Sequence, residues 1–188
     1  MPQAEFTFWV ALPPGTRSLT LLHACAGFAV PFLDLRYGAP AELRALVHDA
    51  VQANLRGPAV MADECDTELL GFLQQTLPPS SRVVLSLRGA GHVESVPAFR
   101  ERGIAAGFEV DSAGQAELAA AAGAEFLVAS GTEAYGPVSA KTTLILVEEL
   151  LKKREASLIV RGGLGPFAAA GARAAGCWRP WPPPSWGT

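Results

Sequence analysis

One pattern constrains this chain more than any other. From Phe6 to Ala175, short apolar runs alternate with turn residues and stretches of helical periodicity. Phe6–Leu12 predicts a strand stopped by Pro13-Pro14-Gly15, with a helix over 18–28 behind it. Val30–Leu35, Pro58–Ala62, Arg82–Leu87, Ile104–Val110, Glu125–Ala129 and Ser157–Val160 predict six more strands. Between them lie helical stretches over 39–54, 66–77, 94–102, 112–122 and 142–154, and one over 165–175 follows the last strand. Asp66 and Ser112 stand where helix N-caps belong. In the helix over 39–54, Leu43, Leu46, Val47 and Val51 share a face. In the helix over 142–154 the spacing predicts Leu144, Val147, Leu150 and Leu151 inward and Glu148, Glu149, Lys152 and Lys153 outward.

Seven consecutive βα units with no all-helical or all-strand half predict a parallel sheet covered by helices. An open doubly wound sheet and a closed barrel both satisfy that rule. A regular repeat of about 25 residues favours a TIM-type (β/α) barrel, which typically takes ~250 residues and at least ~200. The chain has 188 residues, so the eighth strand is expected to be missing or altered. The expected division is a barrel domain over 1–176 and a Pro/Trp-rich tail over 177–188. That tail holds Trp178, Trp181 and Trp186 and four prolines, and proline cannot donate to a ladder, which excludes a central strand. Two readings of it stand: a proline-rich surface tail, or a shifted reading frame in a GC-rich gene. With G/C-ending codons, the register two bases on spells Leu-Ala-Ala-Val-Ala-Ala-Ala-Val-Val-Gly, the composition of a last buried strand.

Composition narrows the class. Hydrophobic residues make up 49% and charged residues 18%, and 15 Lys+Arg against 18 Asp+Glu give a net charge of −3. This is too apolar for disorder and lacks the basic excess of a nucleic-acid binder. No apolar run reaches the ~20 residues of a membrane span, and the N-terminus carries Glu5 where a secretory signal would be basic. Cys25, Cys65 and Cys177 are odd in number and widely spaced, as expected of reduced structural cysteines in a cytoplasmic protein without a metal centre.

Barrel chemistry sits at the C-terminal ends of the strands. Those positions hold Asp34 and Arg36, Asp63 and Glu64, Arg88, Glu109 and Asp111. After the sixth and seventh strands come Ser130, Gly131 and Glu133, then Arg161-Gly162-Gly163. Charges at strand ends also mark where a sheet meets water; their convergence on one rim is what a barrel would add. Glycines just before a helix let backbone N–H groups approach a phosphate, which makes Gly162 and Gly163 anion-site candidates. They also make a tight turn. The loop 129–139 is either a cover for a ligand at the barrel mouth, with Glu133 as its carboxylate and Tyr135 to stack or donate, or a solvated loop. His23 and His48 fall within helices; His92 follows the fourth strand. The chain has no strand-end lysine for a Schiff base, and no metalloprotease, Walker or dinucleotide-binding motif.

Gly107-Phe108-Glu109-Val110-Asp111-Ser112-Ala113, Ser130-Gly131-Thr132-Glu133-Ala134-Tyr135-Gly136 and Val160-Arg161-Gly162-Gly163-Leu164 resemble, in order, segments of the nitronate monooxygenase (2-nitropropane dioxygenase) family. The resemblance covers about 70 residues best, and those proteins are FMN-dependent βα barrels. It is closer still to the barrel at the start of some bacterial type I polyketide synthases, through Thr142-Thr143-Leu144 and the helix after it. The Leu12–Ser18 opening fits as well. The resemblance implies FMN held by Gly131, Arg161, Gly162 and Gly163, with Glu133 and Tyr135 on the substrate side and Arg88 or Arg161 near the flavin's polar atoms. It implies flavin-dependent redox on a small-molecule or carrier-bound acyl substrate. The family's catalytic histidine aligns with Pro137, and proline cannot serve as a general base. A non-catalytic scaffold or vestigial barrel is therefore the rival reading, with homo-oligomerisation through open barrel edges as its expected partner mode.

Overall fold

The computed structural model describes residues 8–12, 19–25, 29–53, 57–63, 66–87, 95–134, 139–153, 157–162, 166–175 and 177. Strands β1 (Phe8–Ala11), β2 (Ala29–Asp34), β3 (Ala59–Asp63), β4 (Arg82–Ser86), β5 (Ala105–Val110), β6 (Phe126–Ser130) and β7 (Ser157–Arg161) alternate with helices. The helices are α1 (Thr20–Cys25), α2 (Pro40–Gln52), α3 (Thr67–Thr76), α4 (Ser95–Glu101), α5 (Ala113–Ala121), α6 (Thr143–Lys153) and α7 (Pro166–Ala174). All seven strands form one sheet in sequence order, and every neighbouring pair is parallel. The sheet curls into an open barrel of the (β/α) type, with β1 and β7 as its two edges among the described residues.

Local sequence accounts for the element boundaries. Pro40 opens α2 after an extended Ala39, a position where its missing N–H costs nothing. The Asp66 carboxylate accepts from the Leu69 N–H at 2.9 Å and starts α3. The Ser112 hydroxyl accepts from the Gln115 N–H and starts α5. Three strands run further than their apolar runs suggest, taking in Asp63, Ser130 and Arg161. Each such residue is in register with a neighbour, Asp63 with Ser86 and Ser130 with Arg161, so the ladder carries the polar ends along.

Strand side chains alternate between two cores. Leu33, Val60, Val83, Leu85, Phe108 and Leu127 face outward and pack with Val47, Leu73, Phe99, Leu146 and other helix residues. Phe32, Ala59, Met61, Val84, Phe126 and Val128 face inward and fill the lumen, with Trp9 and Ile159 half-buried against them. The Trp9 ring of β1 lies 5.6 Å from Phe32 and 5.9 Å from Phe126 of β6, so the curl brings the first strand across to the sixth.

The face of α6 differs from its expected one. Leu146, Val147 and Leu150 are buried, but Leu144 is 58% exposed and Ile145 is 51% exposed. Thr143, Leu146, Val147, Leu150 and Leu151 form a stripe at i, i+3, i+4, i+7 and i+8, and Leu144 lies off it. Buried Thr143 anchors that stripe, so the contact at the helix start decides which of two helical spacings faces the sheet. No described helix is long and apolar enough to cross a membrane. Cys177 is buried in the outer core, and burial pushes its thiol above the ordinary value.

Candidate functional site

The inward positions at the C-terminal ends of the strands carry charge instead of hydrocarbon. Asp34 ends β2, Arg36 follows two residues on, Glu109 lies near the end of β5, and Ser130 and Arg161 end β6 and β7. The curl brings these five side chains together. Arg36 holds Asp34 in a fork, Nε to Oδ1 at 2.8 Å and Nη2 to Oδ2 at 2.6 Å. Its Nη1 donates to Glu109 Oε2 at 2.6 Å. Arg161 Nη1 donates to Glu109 Oε1, and its Nη2 lies 3.3 Å from Asp34 Oδ2. The Ser130 hydroxyl donates to Glu109 Oε1 at 2.7 Å.

These charges are deep: the side chains of Asp34, Arg36, Glu109 and Arg161 are 0%, 1%, 5% and 12% exposed. Charges taken from water persist only when paired and hydrogen-bonded, and two guanidinium groups against two carboxylates meet that condition with no net charge. Burial opposes the Arg36 charge, but the Asp34 hydrogen bond and the attraction of Glu109 and Asp34 outweigh it. They hold the guanidinium above its ordinary value. The apolar lumen lies directly beneath. Arg161 lies 6.0 Å over the Phe32 ring, and its Nη1 is 3.8 Å from Met61 Sδ.

Beside this cluster the loop after β6 is pinned against α6. Glu133 Oε2 accepts from both the Thr143 N–H at 2.8 Å and the Thr143 hydroxyl at 2.7 Å. The carboxylate thus caps the N-terminus of α6, and the two Thr143 bonds, the hydroxyl's first, hold its pKa below the ordinary value. The Thr132 N–H donates to the Lys141 carbonyl and the Ser139 N–H to the Ser130 carbonyl, closing the loop at its base. Gly131 is required by contact: a Cβ there would collide with the backbone and hydroxyl of Thr143. Gly162 is required by conformation. Its φ of +124° is one that side-chain-bearing residues rarely adopt, and a Cβ would sit 3.1 Å from Thr143 Oγ1 and 3.2 Å from the Ala134 nitrogen.

The structure therefore gathers Asp34, Arg36, Glu109, Ser130 and Arg161 into one buried cluster, with Gly131, Glu133, Thr143 and Gly162 at its side. Of the residues expected to hold a cofactor, Gly131 faces Thr143 and the Arg161 guanidinium faces the carboxylates below. Gly162 makes the turn out of β7. Tyr135, Pro137, Gly163, Glu64, Arg88 and His92 lie outside the described residues. Thr143 and Met61 carry no site signal of their own in the sequence, being a threonine that opens a helix and a methionine within a strand. The Thr142-Thr143-Leu144 segment, through its family resemblance, is the one pointer to Thr143.

No family profile matches the chain, and no curated protein matches it. Solved structures do. FabK from Thermotoga maritima superposes with a TM-score of 0.77 at 19% identity, over 93% of this chain and 56% of that one. A nitroalkane oxidase from Streptomyces ansochromogenes gives 0.72 at 16% identity, over 88% of this chain and 62% of that one. A thiamine phosphate pyrophosphorylase from Pyrococcus furiosus gives 0.60 at 16% identity, over 92% and 83%. The chain thus spans less than two thirds of the length of the FabK and nitroalkane oxidase structures. Identities this low establish a shared barrel fold, and the different chemistries named show that this fold does not by itself select a reaction.

Proposed function

We propose that the chain forms the greater part of a flavin-binding barrel for redox chemistry on a small organic or carrier-bound acyl substrate. In this reading it is a nitronate-monooxygenase-like barrel belonging to a polyketide synthase-type protein. FabK and the nitroalkane oxidase, two of its structural neighbours, are flavin enzymes. The observation that carries the reading is the Gly162 turn at φ +124°, at the C-terminal end of β7 and four residues ahead of Pro166, where α7 opens. Such a turn brings backbone N–H groups to a helix N-terminus, the chemistry that holds the phosphate of a mononucleotide.

The residues fit FMN in part. The start of α6 already has a carboxylate on it, Glu133, so a phosphate there would meet a like charge. The Arg161 guanidinium is neutralised within the lumen. The phosphate is therefore assigned to the backbone of Gly162 and Gly163 leading into α7. Bound flavin would supply the electron chemistry; the chain's part is to seat it and keep water from the lumen with the buried cluster. Glu133 and Tyr135 are assigned to the substrate side of the loop after β6. A scaffold without catalysis is the second reading, favoured by one observation: Asp34, Arg36, Glu109 and Arg161 satisfy one another's charge and hydrogen-bonding within the cluster.

Titration of the purified chain with FMN, followed by flavin fluorescence, tests the first reading. Saturable binding is expected, weakened at least tenfold in Gly163→Asp, whose carboxylate would repel the phosphate. Absence of binding to the unsubstituted chain, or equal binding by Gly163→Asp, overturns it in favour of the scaffold.

A further inference from the structure

β7 is an edge strand whose only ladder partner among the described residues is β6, yet the turn assigned to the cofactor hangs from its end. Its described residues are half-buried except Leu158, so packing restrains it less than the inner strands. Ile159 packs on the inner apolar cluster, and what reaches the C-terminal end of β7 across the lumen is charge. Arg36 ties β2 to Glu109 of β5, Glu109 ties β5 to Arg161 of β7, and Arg161 ties β7 back to Asp34 of β2. The strut spans strands that share no ladder and closes a triangle inside the curl. Its last member is the residue immediately before Gly162, and the Thr143 hydroxyl also lies 3.5 Å from the Arg161 carbonyl.

We infer that Glu109 is a positioning residue, which through Arg161 sets the end of β7 and with it the Gly162 turn. Hydrocarbon at these positions would fill the lumen equally well, but it would not fix direction. The two oxygens of Glu109 are divided between two guanidinium groups on opposite sides, and Ser130 orients one of them. A guanidinium held in this way has one arrangement of donors, and the backbone it hangs from is held with it. The value of the site to a cofactor rests on the flavin reading above; the mechanical role does not.

Native-state amide exchange on the full chain separates the two, with Glu109→Gln and Arg161→Lys as variants and FMN as the probe. Glu109→Gln keeps the shape of the side chain and an acceptor for Ser130 while removing the charge. Exchange over residues 158–162 is expected to rise at least tenfold in Glu109→Gln, with β3 and β4 amides unchanged and FMN binding weakened in parallel. Arg161→Lys, which keeps the charge, is expected to retain part of the protection that Glu109→Gln loses. Unchanged exchange over 158–162, or a loss spread evenly over all seven strands, overturns the inference. If the unsubstituted chain binds no FMN, the flavin reading fails, and the exchange pattern still decides the role of Glu109.

Discussion

Glu133 shows how one side chain links the loop after β6 to helix α6. Its carboxylate accepts from the backbone and the hydroxyl of Thr143, and those bonds hold its pKa below the ordinary value. A carboxyl depressed in the folded state contributes stability that is complete above its unfolded value, and loses it as pH falls through the folded value. Glu133→Gln is therefore expected to melt below the unsubstituted protein at pH 7. The gap should close as the pH drops below about 4, the ordinary carboxylate range. Melting curves from pH 3 to 7 check this; a gap independent of pH would remove the charge from the account. The place of Glu133 in a polar strand-end loop was legible in the sequence, since a lone acid there is conspicuous. Its partner was not, because Thr143 is ten residues away and meets it only once the loop folds back. Arg161 teaches the same lesson: its placement at a strand end was readable, but its partners Glu109 and Asp34 lie 52 and 127 residues distant.

At the scale of the element, caps were the most readable feature. Asp66 and Ser112 act within three residues of themselves, and both make the expected bonds to the Leu69 and Gln115 N–H groups. Faces were less readable. Helix α6 offers two apolar spacings, one through Leu144 and one through Leu146, and local sequence contains both. The packed helix buries Leu146 completely and leaves Leu144 58% exposed. Leu146→Ala is expected to cost about 2–5 kcal/mol of stability, as truncation of a buried leucine does, and Leu144→Ala within about 0.5 kcal/mol. Urea unfolding of the two variants measures the difference directly. A larger loss in Leu144→Ala than in Leu146→Ala would place the helix on the other face.

Among the described residues the whole molecule is a curled parallel sheet with β1 and β7 as its edges. Trp9 and Ile159 stand on the lumen side of those edge strands, half-buried, and the buried Trp9 Nε1 has no hydrogen-bond partner. Unpaired edges of this kind recruit further strands, and inward-pointing charges are one means of blunting them. Self-association through β1 and β7 is accordingly proposed for the purified chain, with Ile159→Lys expected to shift it to monomer. Sedimentation over a range of concentrations reads this out, and a chain monomeric at high concentration would dismiss the proposal.

Alternation of strand and helix is encoded residue by residue, in runs of β-branched and aromatic side chains, in capping oxygens and in prolines. The number, order and direction of the elements were therefore determined by the sequence alone. So was the presence of charge at the strand ends, because side chains alternate across a strand with a period of two. What those charges do was decided only by the curl of the sheet. Pairing Arg161 with Glu109 and Asp34 requires β2, β5 and β7 to face one another across a lumen, and a buried charge without a partner would not be tolerated there. Local chemistry acts over a few residues, whereas electrostatic neutrality in a low-dielectric interior is a condition on the folded whole.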